Sequence, residues 1–156
     1  MTIPSLTLII LSELLPLRDA TAILTELASR GCDVTIDGAA WSPVAGGGEY
    51  SRPEAEHVSV EGIDCRLIVE IYRTAGQPGG GWIDAIELFP AAGSEGSWLT
   101  SMRSALSLGF RLSTTDADGV EIYQRGAEEE VICFPPSGIA PPHLLMHTHP
   151  QLRTDA

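Results

Sequence analysis

Lysine is missing from this sequence. All nine basic residues are arginine, set against 21 acidic ones, and the 156 residues carry a formal net charge of −12. Without lysine there is no Schiff-base chemistry and no P-loop lysine to reach a β/γ-phosphate. The shortage of positive charge also argues against a nucleic-acid partner, since Lys and Arg neutralising phosphates supply most of such affinity.

Long apolar runs are absent as well. The longest, Leu6 to Leu11, is broken by Thr7 and stopped by Ser12 and Glu13, far short of the ~20 residues that span a bilayer. No basic residue precedes it, so the charged start of a signal peptide is missing and no membrane association is expected. Cysteine is sparse: Cys32, Cys65 and Cys133 are odd in number, far apart and without a C-x-x-C pair. A disulfide framework or thiolate zinc site is therefore not expected, and reduced cysteines acting as small hydrophobes fit a cytoplasmic protein.

What is present is a conventional core. Hydrophobic residues make up 44% of the chain, too many for an acidic disordered segment. Ser5 to Leu11 reads as a first, buried strand. Leu17 to Arg30 reads as an amphipathic helix with Ala20, Ile23, Leu24, Leu27 and Ala28 on one stripe, Pro16 at its start and Gly31 just past its end. Cys32–Ile36 alternates as a half-buried strand, and a Gly/Pro loop follows from Ser42 to Glu56.

His57–Val60 and Ile63–Arg73 read as a hairpin turning at Glu61-Gly62. On its second strand Cys65, Leu67, Val69 and Ile71 share one face. Arg66, Ile68, Glu70 and Tyr72 share the other. Trp82–Phe89 reads as a strand too apolar on both faces to assign an inward side. A second helix begins near Ser94 or Ser97 and ends at Leu108, packing through Trp98, Met102, Ala105 and Leu106. Phe110–Thr114 and Val120–Gln124 form a hairpin, with a short strand at Val131–Phe134.

This order implies an α+β fold with two helices on a mainly antiparallel sheet, ferredoxin-like or a hairpin-extended variant. Residues 1–134 form the expected domain, and 135–156 a Pro/His-containing C-terminal tail.

Few residues group into chemistry. Gly46-Gly47-Gly48 and Gly79-Gly80-Gly81 lack the G-x-G-x-x-G pattern of a strand-to-helix phosphate loop, and Gly93-Ser94-Glu95-Gly96 has the wrong offsets for a hydrolase elbow. His143, His147 and His149 are weak metal candidates. An i, i+4 pair clamps a metal from a helix, but the flanking prolines oppose one and no carboxylate is near in sequence until Asp155. Asp116 and Asp118 fit an Asp/Gly turn without a metal. No catalytic pattern emerges, and no cofactor is expected.

The charge is more structured. Between Asp33 and Asp64 seven acids face only Arg52, and between Asp116 and Glu130 six face only Arg125. These two stretches hold −11 of the −12. Solubility alone accounts for such acidity. A basic protein steered onto an acidic face accounts for it too, with aromatic anchors inside a charged rim. The expected contact residues are Asp33, Asp37, Trp41, Glu49, Tyr50, Glu54, Glu56, Asp116, Asp118, Glu121 and Tyr123, with Trp41 fitting core or interface equally well.

The leading expectation is a cytoplasmic inhibitor of the immunity-protein or antitoxin kind, a monomer or homodimer that neutralises a basic toxin or enzyme. One alternative is a dimeric ligand-binding or regulatory domain with Arg66, Glu70 and Tyr72 lining a site. The other is a metal-dependent enzyme using the C-terminal histidines.

Overall fold

The computed structural model describes residues 3–15, 19–36, 38–41, 50–72, 82–126, 129–137 and 140–148, without the side chains of residues 50, 72, 82–84 and 148. The N-terminal apolar run does not stay extended. Only Ser5–Leu6 (β1) is strand, and Leu8–Leu14 forms a helix (α1). Leu8, Leu11, Ser12 and Leu15 are buried, a helical spacing that a short apolar run conceals when read by hydrophobicity alone. Thr7 caps the helix by accepting from the Ile10 amide, and the Ser12 hydroxyl donates back to the Ile9 carbonyl at 2.7 Å. The expected strand over Ser5–Leu11 is therefore mostly helix.

The next helix, Ala20–Ser29 (α2), is capped by Asp19, which accepts from the Ala22 amide at 3.0 Å. Its buried stripe is Ala20, Ile23, Leu24 and Leu27, while Ala28 is exposed. Short strands Val34–Ile36 (β2), Ala39–Ala40 (β3) and Tyr50–Ser51 (β4) follow. Glu54–Val60 (β5) and Ile63–Tyr72 (β6) then form the expected hairpin. Glu61 and Gly62 adopt φ of +52° and +80°, the left-handed pair whose twist suits a two-residue hairpin. Trp82–Pro90 (β7) pairs with β6.

The third helix, Glu95–Gly109 (α3), buries Trp98, Met102, Ala105 and Leu106 as their spacing predicts. A Cβ added at Gly109 would lie 2.5 Å from Ile9 Cδ1, so glycine allows α3 to end against α1. Arg111–Thr115 (β8), Glu121–Arg125 (β9), Glu129–Phe134 (β10) and His143–Thr148 (β11) complete the described chain.

The sheet has 11 strands in the path β3-β2-β5-β6-β7-β11-β10-β9-β8, with β1 attached to β5 and β4 to β6. Every pairing is antiparallel except β1 with β5. The fold is mixed α+β and dominated by its sheet. β11, read from sequence as part of a tail, pairs between β7 and β10. One hydrophobic cluster joins the buried residues of α1, α2 and α3 to those of the sheet, including Leu67, Ile86, Leu144 and Val131. The helices therefore cover one face of the sheet, and among the described residues the other carries no helical layer, although Ile68 and Ala85 on it are buried. Among the described residues no helix is long and apolar enough to cross a membrane.

Candidate functional site

Alternation along each strand decides what reaches the uncovered face. On β6, Cys65, Leu67, Val69 and Ile71 go into the core, and Arg66, Ile68 and Glu70 go outward. On β7, Ile86 and Leu88 are core, which resolves the strand that hydrophobicity left ambiguous: Ala85, Glu87 and Phe89 point outward. β11 turns Leu144 and Met146 inward and His143, Leu145 and His147 outward. β10 turns Val131 and Cys133 inward and Glu130, Ile132 and Phe134 outward.

Register aligns these side chains into rows. Ile122, Ile132, Leu145, Glu87, Ile68 and Glu54 are successive cross-strand partners from β9 to β5. A neighbouring row is aromatic: Phe134 stacks on His143 at 4.4 Å between ring centroids, and His143 on Phe89 at 5.1 Å. The Arg66 guanidinium lies over the far side of that row, 5.1 Å from the Phe89 centroid. Such pairs contribute roughly 0.5–1.5 kcal/mol each beyond the area they bury.

Carboxylates surround the rows. Arg52 lies 3.7 Å from Glu70 and 3.2 Å from Glu87, and Arg66 lies 3.8 Å from Glu54. Glu130 bonds His147 at 2.8 Å and accepts from the Gln124 amide. Asp64 meets His57 Nδ1 at 3.3 Å, and its other oxygen is buried with no hydrogen-bond partner among the described residues. With Glu56 beside them, six carboxylates among the described residues share this face with three arginines, the third being Arg111, which donates to Gln124 at the β8 edge. An open cavity of about 370 Å³ lies at its β5–β6–β7 end, lined by Glu56, His57, Arg66 and Phe89.

The expected contact residues divide among several places. Glu54 and Glu56 are on the uncovered face. Asp33 is exposed just before β2. Trp41 is half-buried and packs against the core. Asp116 and Asp118 are exposed in the β8–β9 turn, where Asp116 Oδ1 accepts from the Asp118 and Val120 amides at 2.8 and 3.0 Å.

Glu121 and Tyr123 are turned away from the open face. Tyr123 is 6% exposed in the core, and Glu121 binds Arg103 of α3 at 2.6 Å. Burial, followed by the nearby Glu121 charge, pushes the Tyr123 phenol up. Asp37 and Glu49 are outside the described residues, as is the Tyr50 side chain. Of the second acidic stretch only Glu130 joins Glu54, Glu56 and Asp64 of the first on this face, among the described residues. β2 and β9 are separated by five strands, roughly 30 Å at ~4.8 Å per strand.

The histidines also separate by role. His143 belongs to the aromatic row and His147 is bonded to Glu130, while His149 is outside the described residues. Among the described residues no group of three or more His, Cys, Asp or Glu is arranged to hold a metal. The three cysteines are unpaired and buried. Burial pushes the thiol of Cys32 up, that of Cys65 up to about 12 and that of Cys133 up to about 11, so none offers a thiolate nucleophile at neutral pH.

Glu87, Phe89, Ile132, Phe134 and Leu145 are the part of this face that sequence reasoning misses; Arg66 and Glu70 it placed together only for a ligand-binding or regulatory domain. The signal for β11 was available. Between Pro142 and Thr148, Leu144 and Met146 alternate with His143, Leu145 and His147, a period-two strand pattern. Comparison with protein-family models, with curated proteins and with solved structures returns no match.

Proposed function

We propose that the protein is an acidic protein-binding inhibitor, of the immunity-protein or antitoxin kind, that neutralises a basic partner through the uncovered face of its sheet. The observation that carries this reading is the composition of that face. Ile122, Ile132 and Leu145 form an apolar strip beside the Phe134–His143–Phe89 row, and six carboxylates stand around them against Arg52, Arg66 and Arg111. Apolar and aromatic anchors within a charged rim are the anatomy of a protein interface, and excess negative charge selects and steers a basic partner.

The acids of the two sequence stretches play unequal parts in this reading. Glu54, Glu56 and Asp64 of the first stretch and Glu130 of the second contribute directly. Asp116 and Asp118 act from the far edge through the long-range field, which salt screens beyond ~10 Å. The scaffold is read as a hairpin-extended relative of the ferredoxin-like arrangement, on the support of helices gathered over one face of an antiparallel sheet. Buried, unpaired cysteines support a reducing, cytoplasmic setting.

Capture from host-cell lysate tests the proposal. The immobilised chain is expected to retain a basic protein at low salt and release it as salt rises. Leu145→Arg, which puts a cation in the middle of the strip, is expected to weaken retention at least tenfold, using roughly 1.4 kcal/mol per factor of ten. Retention of no basic protein, or equal retention by the variant, contradicts it.

A further inference from the structure

The cavity at the β5–β6–β7 end of the sheet is built by an irregularity. β5 and β6 pair at Ala55–Leu67 and again at Val58–Cys65, so Glu56 and His57 together oppose the single residue Arg66. An unbroken strand would send one of those two side chains into the core. The bulge turns both outward, and His57 takes φ of +57° to achieve it. For a side chain with a Cβ that conformation costs on the order of 1–2 kcal/mol, and it is retained here at the rim of a cavity.

The lining supplies three kinds of contact. Arg66 is fixed over Phe89, with Glu54 only at 3.8 Å from one of its nitrogens, which leaves guanidinium donors for an anion. Glu56 supplies a carboxylate. The Asp64 carboxylate at 3.3 Å accepts the Nδ1 proton of His57, leaving Nε2 as an acceptor when the ring is neutral. Phe89, Pro90 and Pro141 supply apolar wall. Cys65, also at the lining, turns its side chain into the core and takes no part in these contacts.

An anion receptor and a cation receptor on facing strands, with an apolar wall beside them, match one small molecule class in particular. We propose that this cavity binds a free α-amino acid with an apolar side chain. Its carboxylate pairs with Arg66, its ammonium donates to Glu56 and His57 Nε2, and its side chain lies against the two prolines and the edge of the Phe89 ring. At about 370 Å³ the cavity falls within the ~300–1,000 Å³ range of small-molecule sites. The cavity shares Glu56, Arg66 and Phe89 with the rim of the protein-binding face but makes no use of the Ile122–Ile132–Leu145 strip, so amino-acid binding and the Leu145→Arg capture result can fail separately.

Amide NMR of the full ¹⁵N-labelled chain tests this with four probes: L-phenylalanine, L-leucine, 2-phenylethylamine (no carboxylate) and 3-phenylpropionate (no ammonium). Saturable shifts are expected at residues 56–57, 65–66 and 89–92 with at least one of the two amino acids. Both truncated analogues are expected to bind at least about tenfold more weakly, as loss of a charge-assisted bond requires.

Arg66→Gln is expected to bind L-phenylalanine no better than 2-phenylethylamine, while its amide spectrum away from the cavity stays unchanged. The proposal is overturned by no saturable shift with either amino acid up to about 10 mM. It is equally overturned by analogues that bind as tightly as L-phenylalanine, or by shifts that cluster away from the cavity.

Discussion

The Glu61 carboxylate accepts from the Leu8 amide at 2.8 Å while its own backbone sits at φ of +52°. The side chain thus caps α1 from a turn 53 residues away in sequence, and the backbone tolerates a left-handed conformation to form that turn. Glu61→Asn separates the two effects. Asparagine accepts left-handed φ more readily than glutamate but is too short to reach Leu8. If the cap dominates, the urea midpoint is expected to fall by the equivalent of about 1 kcal/mol, whereas a rise would show that turn strain outweighs the cap.

Cys65 and Cys133 give a second expectation. Both thiols are pushed up by burial from an ordinary value of 9.0, to about 12 and about 11. Between those values the unfolded chain has released thiol protons that the folded chain retains, so stability is full below about pH 9 and declines as pH rises toward 11–12. Denaturant unfolding at about pH 8 and about pH 10.5 is expected to show this loss, with a shallower pH slope in Cys65→Ala. An identical slope in the variant would remove Cys65 from the account. Sequence foresaw small buried cysteines and the Glu61-Gly62 turn correctly, but it gave no sign that the Glu61 carboxylate caps α1.

At the scale of elements, legibility followed the strength of the periodic signal. The α3 face and the β6 alternation were readable because each spans enough residues for 3.6 and 2 to be told apart. The run from Leu6 to Leu11 was too short, and its helical character appears only once Ser12 and Leu15 are seen to continue the stripe. β11 was obscured by prolines on either side, which suggested a tail although the six residues His143–Thr148 alternate cleanly.

Its position has an energetic consequence. β11 supplies the pairing that joins β7 to β10, and Leu144 is fully buried. Leu144→Ala is expected to lower unfolding free energy by about 2–5 kcal/mol, the usual cost of truncating a core leucine. A change below about 1 kcal/mol in denaturant titration would show that the strand is not an integral part of the sheet.

Across the whole molecule, charge is organised by face and not by stretch of sequence. On the helical side three arginines are each paired with a glutamate: Arg30 with Glu26, Arg103 with Glu121, and Arg125 with Glu129. On the other face, among the described residues, Arg52, Arg66 and Arg111 stand among Glu54, Glu56, Asp64, Glu70, Glu87 and Glu130. Sequence located the excess in two stretches. It could not see that Glu121 turns inward to α3, or that Glu70 and Glu87 join Glu54, because strand order and facing are tertiary facts.

The most direct test of the protein-binding reading is carboxylate footprinting of the captured complex. Carbodiimide labelling of free and bound protein is compared residue by residue. Binding through the uncovered face predicts protection at Glu54, Glu56 and Asp64, with Asp33 and Glu95 labelled as in the free chain. Protection confined to Asp33 or to the helices, with Glu54 and Glu56 unchanged, would contradict it.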